Sequence, residues 1–419
     1  MAREMKDSGI EWIGEIPVSW DIKKLKYCSS FIQEKYSESM DDISYIGLEN
    51  IVSWNGKYVP TESVYDKDQS IQFKADDILW GKLRPYLAKV FHARDRGCCS
   101  SEFCVIRLNA QFNKRYFWNL LISSEFVSTV DRSTYGTKMP RANSDFIKNI
   151  KVPLPPIKEQ GVIARYLDSK CSQIDSIIEQ TRASIEEYKK LKQAVITQAV
   201  TKGIRSDWPM KDSGIDWVGS IPADWNVQRI KTIFSLRDER NSLPLEEVNL
   251  ISLYTDLGVV QHNELEKTSG NKASTADGYK KVYENDIIVN IILCWMGAIG
   301  RSAYTGVTSP AYDIYIPSDD IDCRFYHHYF RTSGFSGDCY KRGRGIMAMR
   351  WRTYSDQFRD IKVVVPPISE QKEILSYLDQ KTAEIDNLIA KKEKLLTDMD
   401  SYKKSFIYEY VTGKKEVPA

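Results

Sequence analysis

The chain carries the same framework twice, and this repeat constrains its fold more than any other feature. MKDSGIEWIGEIPVSW runs from Met5 to Trp20, and MKDSGIDWVGSIPADW from Met210 to Trp225, with 11 of 16 positions identical. A second pair follows: VPLPPIKEQGVIARYLDSK from Val152 to Lys170 and VVVPPISEQKEILSYLDQK from Val363 to Lys381, with 11 of 19 identical. The stretches between them, roughly 21–151 and 226–362, share almost nothing. Two units of about 205 residues each are therefore expected. A framework kept while its contents diverge suits a chain that holds two different readers at a fixed distance.

Each unit reads as a mixed globular part followed by one long helix. The first helix is predicted over about Lys158–Lys202, after Pro155-Pro156 and before Gly203. The second is predicted over about Ser369–Thr412, after Pro366-Pro367 and before Gly413, with Ser369 as its N-cap. Proline before a helix and glycine after it are the expected boundaries. Leu167, Cys171, Ile174, Ile178, Thr181, Ile185, Tyr188, Lys192, Val195 and Ala199 recur in steps of three and four. Leu378, Thr382, Ile385, Ile389, Lys392, Leu396, Met399, Lys403, Phe406 and Tyr410 repeat that stripe 211 residues later. A 3.5-residue period over this length predicts a coiled coil, about 65 Å long at ~1.5 Å per residue. Lys192 and Lys403 fall in mid-seam. They either fix the register or, the reading preferred at this level, snorkel out of the seam with no specific partner.

The first helix delivers the chain to the second globular part, and the second helix leaves that part. A pseudo-two-fold between equal units would return the second helix antiparallel to the first, giving a quasi-circular chain. The globular parts show short β-type runs, such as Asp76–Trp80, Phe103–Leu108, Asp286–Leu293 and Tyr312–Ile316. Helical patterns are fewer, such as Lys114–Val130 and Cys323–Thr332. The expected fold is α+β: globular domains over 1–156 and 207–367, with long helices over 157–206 and 368–419.

Composition narrows the chemistry. Net charge is only +2, so any polyanion-binding surface must be local. Eight cysteines form no C-x-x-C pair, and the four histidines, His92, His262, His327 and His328, have no evident partners. No metal site, no phosphate loop, no dinucleotide fingerprint and no nucleophile elbow is expected. The acidic-Pro-Pro-aromatic and Asn-Pro-Pro-aromatic tetrapeptides of amino-methyltransferases are also missing. The N-terminus has no apolar signal core, and the longest apolar run, near Ile287–Met296, is too short to span a bilayer. A cytoplasmic protein with no membrane role is expected.

Binding signals are clearer. Lys82, Arg84, Lys89, Arg94 and Arg96 interleave with Trp80, Tyr86 and Phe91 in the first diverged segment. Arg132, Lys138 and Arg141 follow, with Asn143 beside them. In the second, KRGRGIMAMRWR supplies Lys341, Arg342, Arg344, Arg350, Trp351 and Arg352 with no acid among them. Guanidinium forks suit phosphates and guanine edges, and Asn143 and Asn290 could read adenine edges, although each taken singly reads first as a turn residue. Trp80, Phe91, Arg94 and Arg96 aside, these residues are the candidate DNA contacts; a solvated loop is the bland alternative. Ile177, Leu191, Leu388 and Leu395 lie on the helices outside the seam and are candidates for docking a partner protein, or else cover the seam's own edges.

Together these motifs resemble the specificity subunits of type I restriction–modification enzymes. The resemblance rests on SGIEWIGEIPVSW with SGIDWVGSIPADW, on PPIKEQ…IARYLD with PPISEQ…ILSYLD, and on GAIGRSAYTGVTSPAYDIY at Gly297–Tyr315. It implies two target recognition domains, each reading half of an asymmetric bipartite double-stranded DNA sequence. It implies helices that space those domains and dock methyltransferase subunits, two of them expected, which bind S-adenosylmethionine and methylate adenine N6. Restriction and translocation subunits would join through them. This chain would then be non-catalytic and hold no cofactor itself. Two other readings stay open here: an active methyltransferase, and a coiled-coil scaffold spacing two protein-binding modules without DNA recognition.

Overall fold

The structure, a computed structural model, describes residues 3–35, 44–61, 70–134, 138–261, 275–345 and 351–418. It divides into two compact units, Met1–Arg182 with Glu393–Ala419, and Ala183–Lys392. The division falls inside the two long helices, Ile157–Lys202 and Ile368–Val411. The reason lies in the cores. Ile163, Ala164 and Leu167 of the first helix and Phe406, Ile407, Tyr410 and Val411 of the second are buried with the first globular part. Ile196, Ala199 and Val200 of the first helix and Ile374, Leu375 and Leu378 of the second are buried with the other.

The first unit opens with a hairpin, Met5–Asp7 against Glu15–Pro17. Strands Asp21–Lys24 and Lys151–Leu154 then pair antiparallel, closing the two ends of the diverged segment on each other. Within that segment, Ser29–Ile32, Phe103–Leu108, Ile78–Gly81 and Val90–His92 form one antiparallel sheet in that order. The second unit repeats the plan with Met210–Asp212 and Ser220–Pro222, then Asn226–Arg229 and Lys362–Val365. Its four-stranded sheet runs Phe234–Arg237, Tyr312–Pro317, Ile287–Asn290, Ile299–Arg301. A buried aspartate precedes each central strand. Asp77 takes a bidentate bond from Arg107, and Asp286 takes one from Arg237. The two arginines come from different strands, so this pairing is not visible as a sequence repeat.

The smaller sheets differ. The first unit builds Tyr45–Ile46, Gly97–Cys99 and Ile71–Phe73 into one sheet with a parallel pair. The second has two separate hairpin-like pairs, Ile251–Tyr254 with Gly258–Gln261 and Lys280–Val282 with Gly306–Thr308. The run expected to be helical over Lys114–Val130 is two helices, Lys114–Ile122 and Ser124–Asp131. They break at Ser123, whose backbone is extended.

The repeated motifs meet at one joint in each unit. The indole Nε1 of buried Trp20 donates to Glu159 at 3.1 Å, and that of Trp225 to Glu370 at 2.8 Å. The neighbouring glutamines clamp the chain. Gln160 accepts the Asn113 N–H and donates to the Pro155 carbonyl; Gln371 accepts the Asp322 N–H and donates to the carbonyls of Pro366 and Asp320. Asn113 and Asp322 are themselves N-caps of Lys114–Ile122 and Cys323–Phe330. The expected Ser369 cap is not used. The second long helix begins at Ile368, and the Pro367 carbonyl takes the Gln371 N–H at 3.0 Å, as Pro156 takes that of Gln160.

Glycine closes the same joints. Gly203 and Gly413 follow the long helices with φ of 73° and 75°, where a side chain would be strained. A Cβ at Gly413 would lie 2.5 Å from Pro17 and 3.0 Å from the Trp20 ring; one at Gly203 would lie 3.1 Å from the Glu370 carboxylate. Each tryptophan thus binds the start of one long helix and packs near the end of the other.

Within each unit the helix halves run antiparallel. In the first, Tyr166 packs on Phe406 and Tyr410, and Lys403 reaches Asp175 at 2.5 Å. In the second, Lys392 lies over the Tyr188 ring, and Lys192 holds both oxygens of Asp386. The lysines therefore do have specific partners, contrary to the preferred expectation: each crosses to an aspartate of the other helix. The second bridge is the first moved on by one repeat, with the helices exchanged. Leu167, Ile174, Ile178, Ile185, Leu378 and Ile385 are buried, while Ile389 and Leu396 are only half-buried.

Replacing a clamp glutamine should cost a desolvation penalty, because one buried and two part-buried backbone groups lose their partner at Gln371. We expect Gln371→Ala to destabilise the protein by about 2 kcal/mol, read by urea unfolding. A change below ~0.5 kcal/mol would show that the joint does not depend on the clamp.

Candidate nucleic-acid interface

The first unit assembles its basic residues at the exit of the central strand. After Gly81, the Lys82 N–H bonds Glu102 and the Lys82 carbonyl takes the Ala142 N–H, while the Arg84 N–H bonds Pro140. These bonds bring residues 82–84 against 140–142, with Leu83 bridged to Arg141. Arg84 and Ala88 both have left-handed backbones and bracket a one-turn helix, Pro85–Leu87, that projects the half-exposed Tyr86. The helix Ser124–Asp131 packs on that turn and ends at exposed Arg132. Arg84, Tyr86, Arg132, Lys138 and Arg141 therefore share one region, joined by half-buried Lys82. Among the described residues, Lys82, Arg84, Arg132 and Lys138 have no carboxylate within 4 Å. Arg141 forks onto Glu102 but stays largely exposed.

Two candidates in this unit have structural work instead. The Lys89 ammonium donates to the Leu48 carbonyl at 2.6 Å, and burial lowers its pKa. It ties the loop before the Ile51 turn to the sheet rather than facing solvent freely. Asn143 caps the helix Ser144–Asn149, accepting the Asp145 N–H. Arg94 and Arg96 are exposed on a separate cleft of about 1110 Å³, beside Arg115 and half-buried His92.

The second unit builds the corresponding region differently. The central strand ends at Asn290, which is buried; its side-chain oxygen accepts the N–H groups of Ile292 and Leu293 and shapes the turn. Asn290 is thus a turn residue, withdrawn from any base edge. The Thr353 N–H bonds the Ile291 carbonyl, as Ala142 bonds Lys82, so Arg352 occupies the place of Arg141. Arg344 and Arg352 pair through both backbone bonds, at 2.8 and 3.0 Å. Trp351 stacks on Tyr340 with ring centroids 5.0 Å apart and donates to the Tyr340 carbonyl. Gly343 makes room for it, since a Cβ there would sit 2.3 Å from the indole nitrogen. Lys341 and Arg342 reach Asp216 and Asp360 only at 3.9 and 3.8 Å, and all four cations are exposed. Arg350 lies outside the described residues.

Sequence reasoning missed the aromatic part of this surface. Trp295 packs on Tyr340 at 5.6 Å, and Met296 and Tyr340 are each about half exposed. Tyr340 directly precedes the cationic run, a signal that attention to charge alone passed over. His327 and His328 lie beneath this region. Burial lowers both, His327 to about 3, and His327 Nδ1 accepts the Arg301 N–H as a neutral ring. Among the described residues no cluster of His, Cys, Asp and Glu could hold a metal ion, and no helix is long and apolar enough to cross a membrane. The arrangement offers exposed guanidinium and ammonium donors with aromatic faces, chemistry suited to phosphates and bases.

These placements separate binding from structure at Lys89. Lys89→Met should lower stability by about 1 kcal/mol through the lost tether and leave DNA affinity unchanged. Arg84→Ala with Arg132→Ala should do the reverse, checked by paired melting and DNA titration; equal affinity losses would show that Lys89 is a contact after all.

Comparison with known proteins supplies the family. The family model for the type I restriction modification DNA specificity domain matches residues 20–187 and 222–397. The Type I restriction enzyme EcoBI specificity subunit of Escherichia coli is 22% identical, over 98% of this chain and 90% of its own length. The EcoDI specificity subunit of the same species is 24% identical over 46% of this chain, and that match spans 44% of the relative. A solved chain from work on complex assembly and conformational transition of the type I R-M system superposes with a TM-score of 0.72 at 15% identity. It covers 96% of this chain and 99% of that one, and shows the shared fold. With two matched domains that coincide with the two structural repeats, this chain belongs to the type I restriction–modification specificity-subunit family.

Proposed function

We propose that this chain gives a type I restriction–modification complex its DNA address and performs no chemistry itself. One observation carries the reading: two copies of one joint hold two different cationic surfaces at equivalent positions. Arg141 sits among Arg84, Tyr86 and Lys82; its counterpart Arg352 sits beside Arg344 and the Trp351–Tyr340 stack. Equivalent placement with different side chains is what two half-sites of different sequence require. Half-site centres about one helical turn apart, ~10 bp, suit two such readers on one DNA face.

The long helices would set the spacing and dock two methyltransferase subunits. The support is their exposed apolar residues, which recur with the repeat. Ile177 corresponds to Leu388, and Leu191 to Tyr402, all exposed; Leu395 adds to the second helix. Those partners would bind S-adenosylmethionine and methylate adenine N6, and restriction subunits would join through them. Modification-sensitive long-read sequencing of host DNA, with and without this gene, tests the reading. We expect N6-methyladenine to vanish at one asymmetric two-part motif on deletion. An unchanged pattern from an otherwise active methyltransferase would refute the assignment.

A further inference from the structure

The framework itself carries a basic patch in each unit, outside the diverged readers. Lys24 and Lys151 stand directly opposite on the paired strands that close the first unit's segment, and Arg229 and Lys362 stand directly opposite on the equivalent pair. Side chains facing each other across antiparallel strands share one face, and like charges there oppose folding. A chain free to vary these sites would be expected to place opposite charges across one of the two ladders. It instead holds a cation against a cation in both, though it has changed lysine to arginine at one position. The next basic position is also kept: Lys26 follows Lys24 as Lys231 follows Arg229. Lys23 is not kept, since Gln228 replaces it, so the retained positions are selective.

The surroundings point to an anion from outside the chain. Among the described residues Lys24, Lys26, Lys151 and Lys362 have no carboxylate within 4 Å. Lys26, Lys151, Arg229, Lys231 and Lys362 are exposed, and Lys24 is half-buried. In the second unit the patch is continuous with the cationic surface of the reader. Asp360 bonds Arg229 at 2.6 Å and Lys231 at 3.0 Å, and Arg342 lies 3.8 Å from the same carboxylate. Lys231 and the neighbouring cations hold the Asp360 carboxyl below its ordinary range. The first unit has Asn149 at the matching position, so its patch is not neutralised in this way.

We infer that Lys24, Lys26 and Lys151, and likewise Arg229, Lys231 and Lys362, are sequence-independent clamps on the DNA phosphate backbone, one beside each half-site reader. The inference rests on the proposed reading that this chain binds DNA. It assigns positioning to the constant framework and discrimination to the diverged loops. The clamp of the first unit is the stronger, because Asp360 holds two of the three cations in the second.

The test uses the full chain and two labelled duplexes, one carrying the methylation motif found by sequencing and one scrambled. Lys24→Ala, Lys26→Ala and Lys151→Ala together should reduce the slope of log affinity against log salt by about 2.7. Affinity should fall on the order of a hundredfold at 0.15 M salt on both duplexes, leaving the preference for the motif intact. Arg229→Ala, Lys231→Ala and Lys362→Ala should act in the same direction with a smaller slope change. Melting temperature should hold or rise in the first variant, since the cross-strand repulsion is gone, and fall slightly in the second, which also loses two bonds to Asp360. An unchanged slope with intact wild-type binding would overturn the clamps and leave DNA reading standing. Loss of motif preference at constant slope would make these residues readers, and loss of methyltransferase retention at constant slope would make them protein contacts; either overturns the inference. A wild-type chain that binds neither duplex would sink both readings.

Discussion

The structure depends on an indole bonded to a carboxylate. Trp20 with Glu159 and Trp225 with Glu370 sit where a helix starts, where another ends, and where the diverged segment opens and closes. The bond is buried. Glu370 is only 7% exposed, and burial raises its carboxyl while the Trp225 N–H lowers it. A carboxylate in the first turn of a helix also meets the positive end of the helix dipole. Removing either glutamate would leave a buried indole N–H unsatisfied, and removing Trp225 would strand the buried Glu370, which explains why tryptophan and glutamate stay together in both copies while neighbouring surface positions drift.

From this joint the rest follows. The glutamine beside each glutamate holds the start of the first short helix, and that helix backs the four-stranded sheet. The sheet's central strand ends where the basic residues gather. The diverged segments can therefore change their loops without moving the joint. The smaller sheets show that freedom: three strands with a parallel pair in one unit, two separate antiparallel pairs in the other. The lysine–aspartate bridges add register to the helices. Each is partly exposed and contributes little stability alone, but it penalises any slip that would strand the charges.

Much of this was legible in the sequence. The repeated motifs marked the joints, the double prolines and the glycines marked the helix ends, and the three-four spacing marked the seam. The individual contacts were not legible. Asn290, which suited either an adenine edge or a turn and reads singly as a turn residue, is spent on the turn, and Lys89 looked like a phosphate contact but is tethered to Leu48. A side chain's partner depends on where the backbone turns, which residue type does not report. The equivalence of Arg141 and Arg352 was hidden for another reason. The spacing between copies grows from 205 residues at Met5 and Met210 to 211 at Leu167 and Leu378, through insertions inside the diverged segments. Arg352 does lie 211 residues after Arg141, the offset of the helices, but the residues flanking the two share no motif, and it is the hydrogen bonds to the end of the central strand that make the match.

On the proposed reading, the duplicated joints fix the helices, and the helices set the spacing of the two half-sites. Insertion of one heptad into both long helices at matched positions tests it, with the methylated motif read by sequencing. The account predicts that both half-sites keep their sequence while the unread gap between them lengthens. The same gap from a folded, active insertion variant would contradict it.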